Sequence, residues 1–256
     1  MNIVCLGSGN VATNLTQAFK AKGAHIIQIY SNTLANAQAL ASVLNIQAIA
    51  DFTAVNRNAD LYLICVKDDA IASVAAQLAG VKGLVVHTSG ATDLSVFEQV
   101  IGLSRYGVLY PLQTFSKSRL VDSAQIPFCI EGNNEQSLKQ LQMIAGSITP
   151  LVYLINSAER KQLHLAAVFA CNFTNHLYAL SAEILERNQL SFDMLKPLIA
   201  ETAAKVQDAL PKEVQTGPAI RNDELTMQKH LELLNENTEL VDIYKTLSKS
   251  IKKTYL

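Results

Sequence analysis

An α/β domain built on a parallel sheet, followed by an all-α domain, is the fold this sequence predicts. Three observations predict it. A short apolar run near the start breaks into a glycine turn and passes at once into an amphipathic helix pattern. Strand and helix patterns then alternate for about 150 residues, as a parallel sheet with crossover helices requires. After Asn156-Ser157 only helix signals remain, which places a boundary near residue 155: one domain over 1–155 and a helical one over 156–256.

The elements follow in order. Ile3–Leu6 is the first strand. The helix after it carries Val11, Ala12, Leu15, Ala18 and Phe19 on one face and ends at Gly23, where a left-handed residue closes a helix at least cost. His25–Tyr30 is the second strand, Leu34–Val43 the second helix, and Gln47–Ala50 a third strand. Leu61–Val66 is apolar at every position, the mark of a central strand buried on both faces. A helix over Asp69–Leu78 and a strand over Leu84–His87 come next, then strands at Gly107–Tyr110, Pro127–Glu131 and Leu151–Leu154. Helices are expected over Ser157–Asn188, Ser191–Leu210, Asp223–Leu234 and Thr238 to the end, with Ser157, Ser191, Asp223 and Thr238 as N-caps. Pro211, Gly217 and Pro218 interrupt them.

Composition narrows the function classes. Over 256 residues the formal net charge is −1, and no long basic block provides a footprint for nucleic acid. Lys249, Lys252 and Lys253 read as a solvated helix end. The greasiest run, Leu163–Cys171, is too short to span a bilayer and contains a histidine. No secretory signal is visible, so a cytoplasmic location is expected. Cys5, Cys65, Cys129 and Cys171 are scattered among apolar residues and read as buried free thiols of a reducing compartment.

The glycine turn carries the chemistry. Gly7-Ser8-Gly9-Asn10-Val11-Ala12 fits G-x-G-x-x-A, between strand and helix. The first glycine permits the tight turn, the second lets backbone approach a pyrophosphate, and Ala12 lets the helix lie close on the strand. The helix N-terminus adds N–H groups and positive potential for an anion. This Rossmann-like arrangement points to a dinucleotide, with all six residues as cofactor-binding candidates. An NAD site usually has Asp or Glu about 20 residues past the glycines. Here the second strand ends in Tyr30-Ser31-Asn32-Thr33, with no carboxylate to repel a 2′-phosphate and three side chains able to donate to one. That favours NADP, at modest strength because no arginine accompanies them.

Ligands in such sheets lie beyond the carboxyl ends of the strands. Val66 and Lys67, at the end of the fourth strand, are therefore further cofactor candidates, while Asp68 or Asp69 reads as a helix cap. The fifth strand runs into His87-Thr88-Ser89-Gly90, a polar turn able to hold substrate; His87 reads more readily as a satisfied structural residue than as a catalytic one. No H-E-x-x-H, Cys/His cluster or carboxylate pair suggests a metal. Ser89 does not lie in a G-x-S-x-G elbow, which disfavours a hydrolase. A methyltransferase would want an acid where Ser31 and Asn32 stand.

At these residues the chain resembles a known family. The glycine turn, Val66-Lys67-Asp68-Asp69, His87-Thr88-Ser89-Gly90 and Tyr110-Pro111-Leu112-Gln113-Thr114-Phe115 are similar to NADP oxidoreductases that join a Rossmann-like domain to a helical domain of unknown function. Thr216–Asp223, with Thr226 and His230, resembles the helical-domain signature. The resemblance spans essentially the whole chain. The wider superfamily holds 6-phosphogluconate dehydrogenase, β-hydroxyacid dehydrogenases, ketopantoate reductase and pyrroline-5-carboxylate reductase. It implies hydride transfer between NADP and a small oxo, hydroxy or imine compound, bound between the domains.

One departure matters. The hydroxyacid dehydrogenases place a catalytic lysine one turn before an asparagine on the first long helix of the second domain. If Asn172 matches that asparagine, Val168 stands in the lysine position; if Asn175 matches, Cys171 does. Pyrroline-5-carboxylate reductase lacks the lysine, and Gly217-Pro218-Ala219 resembles its second domain, which keeps an imine substrate open. The valine is also the best support for the alternative, a catalytically silent NADP-binding sensor or regulatory module.

Periodicity gives an independent view of that helix. At 100° per residue His164, Val168, Asn172, Asn175 and His176 share one broad sector. Buried, their polar groups need partners, found at a helix interface or in a polar cleft. Asn172 suits either; His176 suits the interface better. His164, whose ordinary pKa suits acid catalysis near neutrality, is the preferred proton donor, with Asn172 as the second catalytic candidate. A helix over Ser157–Asn188 would span about 48 Å and overrun a domain of about 100 residues. It stays apolar through Leu177, Leu180, Ile184 and Leu185, so a homodimer through the helical domain is expected.

Overall fold

The computed structural model describes residues 1–234 and 236–255. The chain forms two compact units, Met1–Asn172 and Phe173–Leu256.

The first unit is an eight-stranded sheet: β1 (Asn2–Leu6), β2 (His25–Tyr30), β3 (Gln47–Ile49), β4 (Leu61–Ile64), β5 (Leu84–His87), β6 (Tyr106–Pro111), β7 (Phe128–Gly132) and β8 (Val152–Leu154). Their order across the sheet is β3-β2-β1-β4-β5-β6-β7-β8. The winding reverses between β1 and β4, which opens a crevice at the carboxyl ends of those two strands. β3 through β6 are parallel throughout, as expected, but β7 runs antiparallel to β6, with Tyr110 opposite Cys129. The sheet is thus parallel-dominated, as expected, with one antiparallel pair at β6 and β7. A chain leaving β6 at Pro111 returns to the same edge over Leu112–Pro127 with no crossover helix, and a parallel partner would need one.

Successive residues of each strand face opposite sides and build separate cores. Ile3 and Cys5 pack with α1 (Asn10–Ala21), α2 (Leu34–Leu44) and α4 (Glu135–Gly146) through Leu15, Phe19, Leu40, Leu141 and Ile144. Val4 and Leu6 pack with α3 (Asp68–Gln77) and the short 3₁₀ turn Leu94–Phe97. Further along that second face, Val108, Tyr110 and Cys129 meet Leu163 of α5 (Ser157–Ala167). α4 has no counterpart in the sequence analysis, although Leu138, Leu141, Ile144 and Ala145 keep helical spacing and Asn134 caps it.

Several local expectations are corrected. Asn156, not Ser157, caps α5: its side chain accepts from Glu159 N–H, and Glu159 reciprocates at Asn156 N–H in a capping box. Asp68 and Asp69 lie in the first turn of α3 beyond the cap position of Lys67, where their charge still suits the dipole. Cys171 is exposed, unlike Cys5, Cys65 and Cys129. The expected unbroken α-helix from Ser157 is widened by a π-helical segment, Val168–Phe173, before α6 (Thr174–Arg187). A fixed 100° step cannot anticipate that, because i→i+5 bonding changes the register of every residue within it.

The second unit holds α6, a 3₁₀ turn at Phe192–Leu195, α7 (Lys196–Asp208), α8 (Glu224–Leu233) and α9 (Thr238–Tyr255). Ser191 and Asp223 cap as expected, whereas Asn237 rather than Thr238 accepts at the start of α9. Its buried apolar residues are Ala219, Met227 and Leu240, and neither α6 nor α7 buries a side chain. Among the described residues no helix is long and apolar enough to cross a membrane.

Candidate active site

The turn between β1 and α1 needs its first glycine. Gly7 has φ +130°, and a Cβ there would lie 2.1 Å from the Cys65 carbonyl oxygen. Gly9 serves differently: a Cβ on it would meet nothing within 4 Å, so the space over the turn is open. Gly9 is the N-cap of α1, which has no side-chain cap bond and no acid in its first turn. Nothing anionic therefore competes for a phosphate at this helix end. Ala12 is fully buried beneath it, and Ser8 is buried in the turn.

A cavity of about 820 Å³ opens from this turn, lined entirely by residues of the first unit. Gly9, Asn10 and Val11 form one end. Cys65, Val66, Lys67 and Asp68 follow β4, and Thr88, Ser89 and Gly90 follow β5. Tyr110–Phe115 continue from β6, and the helical wall supplies Leu163, His164, Val168, Cys171 and Asn172 among others. The volume is ample for a dinucleotide's reactive end and a small substrate.

His164 and Tyr110 form a pair across this cavity. Tyr110 Oη lies 3.0 Å from His164 Nδ1, and the rings meet edge to face. Burial, reinforced by the nearby Cys129 thiol, pushes the Tyr110 phenol up to about 12 against the opposing effect of Arg160. The phenol thus keeps its proton at neutral pH, and it shares one hydrogen bond with Nδ1 of the imidazole, whose tautomer sets which atom donates. Gly90 makes room for the pair: a Cβ there would lie 2.6 Å from His164 Nδ1 and 2.8 Å from Tyr110 Cζ.

A buried ion pair holds the helix that carries His164. Arg160, fully buried one turn earlier, places Nη1 2.5 Å from Glu131 Oε2 on β7 and Nη2 2.5 Å from the Thr92 carbonyl. Ser157 donates to the same carboxylate from its N–H (3.0 Å) and its hydroxyl (2.7 Å). This network joins α5, β7 and the loop after β5, and α5 and that loop both line the cavity.

The structure brings most sequence-derived candidates to the cavity: Gly9, Asn10, Val11, Val66, Lys67, Thr88, Ser89, Gly90, His164 and Asn172. His87 is not among them, which corrects its reading as a substrate contact. Its ring is wholly buried, stacks on Phe97 at 5.5 Å and accepts the Ser89 N–H at Nδ1. Burial first, and the Arg160 charge second, push its pKa down to about 3, so it is a neutral support under the loop. Ser89 Oγ accepts from Ala91 and Thr92 N–H, folding that loop upon itself.

Ser31, Asn32 and Thr33 lie outside the cavity at the end of β2, with Asn32 and Thr33 exposed. Tyr30 Oη donates to Asn32 Oδ1 at 2.5 Å, which leaves the amide nitrogen as the donating end. Asn175 and His176, placed by periodicity on the His164 sector, do not line the cavity, because the π-helical turn intervenes. Tyr110 was missed as a site residue. Its place at the carboxyl end of β6 was a usable signal, since strand ends carry ligands in such sheets.

Known proteins agree with this architecture. A domain described as NADP oxidoreductase coenzyme F420-dependent matches residues 2–89, and a domain of unknown function, DUF2520, matches residues 126–251. Among solved structures the chain is similar to the "putative NADP oxidoreductase" of Bacteroides fragilis, with 44% identity over 98% of each chain and a TM-score of 0.94. An imine reductase from Myxococcus stipitatus, solved in complex with NADP+, is 14% identical over 99% of this chain and 93% of that one, with a TM-score of 0.68. A 1-pyrroline-5-carboxylate reductase from Streptococcus pyogenes is 13% identical over 99% of this chain and 98% of that one, with a TM-score of 0.66. These two share the fold. No curated protein matches the sequence.

Proposed function

This chain belongs to the NADP oxidoreductase family of that Bacteroides fragilis relative, and from this premise we propose that it reduces a small oxo or imine metabolite, or oxidises the matching hydroxy or amino compound, with NADP(H). The observation that carries the reading is one cavity that joins the open turn at Gly9 to the His164–Tyr110 pair. The residues fit the cofactor. The first turn of α1 offers N–H groups to the pyrophosphate over a glycine with nothing above it. Val66 and Lys67 flank the path beyond β4, and Ser31, Asn32 and Thr33 donate to a 2′-phosphate. When bound, NADPH supplies a hydride to an electrophilic carbon.

The chain's own groups do the rest. Thr88, Ser89 and Asn172 orient the polar end of the substrate, while Leu163 and Val168 close its apolar side. The His164 side of the cavity supplies the proton that the reduced oxygen or nitrogen requires. No lysine is needed for this, which answers the valine at position 168. The partly exposed apolar faces of α6 and α7 fit a homodimer, as a second copy is the simplest cover for them. Three buried free thiols suit a cytoplasmic setting.

Calorimetric titration tests the reading at its base. NADPH should bind more tightly than NADH, and Asn32→Asp should weaken NADPH selectively by placing like charge against the phosphate. Equal or tighter NADH binding by the unaltered chain rejects the NADP assignment. With a substrate in hand, His164→Ala or Asn172→Ala should depress turnover at nearly unchanged NADPH affinity.

A further inference from the structure

A phenol and an imidazole share one hydrogen bond on this cavity, so either could face the substrate as the acid. Their surroundings differ. Tyr110 stands at the end of β6 beside Gly90 and is 8% exposed, while His164 is half-buried on the outer helical wall. The missing Cβ of Gly90 leaves the loop flush against the phenol head, 2.8 Å from where that Cβ would lie. His164 has its Nδ1 occupied by Tyr110, so Nε2 is the ring nitrogen left to exchange with solvent.

We infer that Tyr110 hands the proton to the substrate and that His164 replaces it. The inference rests on the reductase reading above and deepens it. In the reductive direction the substrate carbon takes the hydride pair, the C=O or C=N π bond opens, and its oxygen or nitrogen takes the proton from Tyr110 Oη. As that O–H bond breaks, Oη takes the proton from Nδ1 of a protonated His164, and the imidazole is recharged from water at Nε2. One hydride and one proton enter the product, and one proton leaves solvent. A neutral phenol at rest is what such a donor requires, and Tyr110 is held neutral by burial.

The charged and titratable groups around the pair come from every neighbouring element. Arg160 and Lys161 lie on the helix of His164, paired with Glu131 and Asp93, and Cys129 on β7 and Cys171 on the π-helical turn face Tyr110. Burial pushes the Cys129 thiol up to about 11, so it keeps its proton. His164 is thus the group hydrogen-bonded to Tyr110 that can recharge it.

The test uses the full chain with NADPH and two probes, pyruvate as a 2-oxo acid and 1-pyrroline as a cyclic imine. Tyr110→Phe removes one oxygen and leaves the ring packed on Val108 and Cys129. It should lower kcat at least ~100-fold, with KM and calorimetric NADPH affinity little changed. His164→Ala should cost roughly tenfold and be partly restored by added imidazole. A Tyr110→Phe enzyme within about threefold of the parent overturns the inference; so does a His164→Ala loss as deep as that of Tyr110→Phe without imidazole rescue.

A readout free of turnover accompanies these. Proton NMR titration of His164 should shift in Tyr110→Phe, because the shared bond favours one ionisation state over the other. An unmoved titration overturns the inference whatever the activity. If neither probe is reduced although NADPH binds, the reductase reading loses support while the titration still decides the pairing. Absent NADPH binding rejects that reading alone.

Discussion

Glu131→Gln isolates the ion pair that fixes the helix carrying His164. The substitution keeps the side chain's shape and removes its charge. Three donors converge on that carboxylate: Arg160 Nη1 at 2.5 Å, Ser157 Oγ at 2.7 Å and Ser157 N–H at 3.0 Å. Arg160 has no solvent exposure and the Glu131 side chain only 16%, so water cannot take over the lost charge. Removing one partner of such a buried pair costs about 3–5 kcal/mol, because the remaining charge is left unbalanced. An exposed pair such as Lys139–Glu135 is worth at most about 1 kcal/mol. For a chain of this size the loss corresponds to a fall in Tm of roughly 6–20 °C.

Urea unfolding followed by circular dichroism measures it, alongside calorimetry of the thermal transition. The double variant Glu131→Gln with Arg160→Met removes both charges and should recover most of the stability lost by the single change. A loss below about 1 kcal/mol for Glu131→Gln would place the pair in the weak, solvent-screened class and refute the reasoning. So would a double variant no more stable than the single one, since the penalty would then not come from an orphaned charge.

The two glycines of the first turn should separate stability from binding. Gly7→Ala forces a Cβ onto the Cys65 carbonyl at positive φ and should cost more than about 3 kcal/mol. Gly9→Ala should melt like the parent yet bind NADPH more weakly; equal melting points for both variants would defeat the assignment. Stability should also depend on pH through His87. Its folded pKa of about 3 lies below its ordinary 6.5, so the unfolded chain binds more protons between those values. The contribution is complete above pH ~6.5 and is lost as pH falls toward 3, by up to ~1.4 kcal/mol per unit. His87→Asn should flatten that slope, and an unchanged slope sinks the claim. Light scattering should give the mass of a dimer of this 27.9 kDa chain across micromolar concentrations. A mass near that of one chain would reject the dimer.

What the sequence determined by itself is local. The glycine spacing at Gly7 and Gly9, the alternation of apolar runs through Leu84–His87, and the carboxylate-free end of β2 are contiguous signals. Backbone sterics and strand periodicity act on them within a few residues, so they could be read without knowing what lies across the sheet. Helical spacing also put His164 and Asn172 in one sector, and both line the cavity, but it put Asn175 and His176 there too, and these do not. The tertiary structure decided what depends on partners distant in sequence. Tyr110 meets His164 from 54 residues away, and Glu131 reaches Arg160 across 29. His87 lost its candidacy because Phe97 and the Ser89 N–H enclose it, and burial is a property of the assembled core. The antiparallel turn at β7 and the π-helical turn at Val168–Phe173 belong to the same class, since pairing direction and helical register answer to packing that no short window of sequence contains.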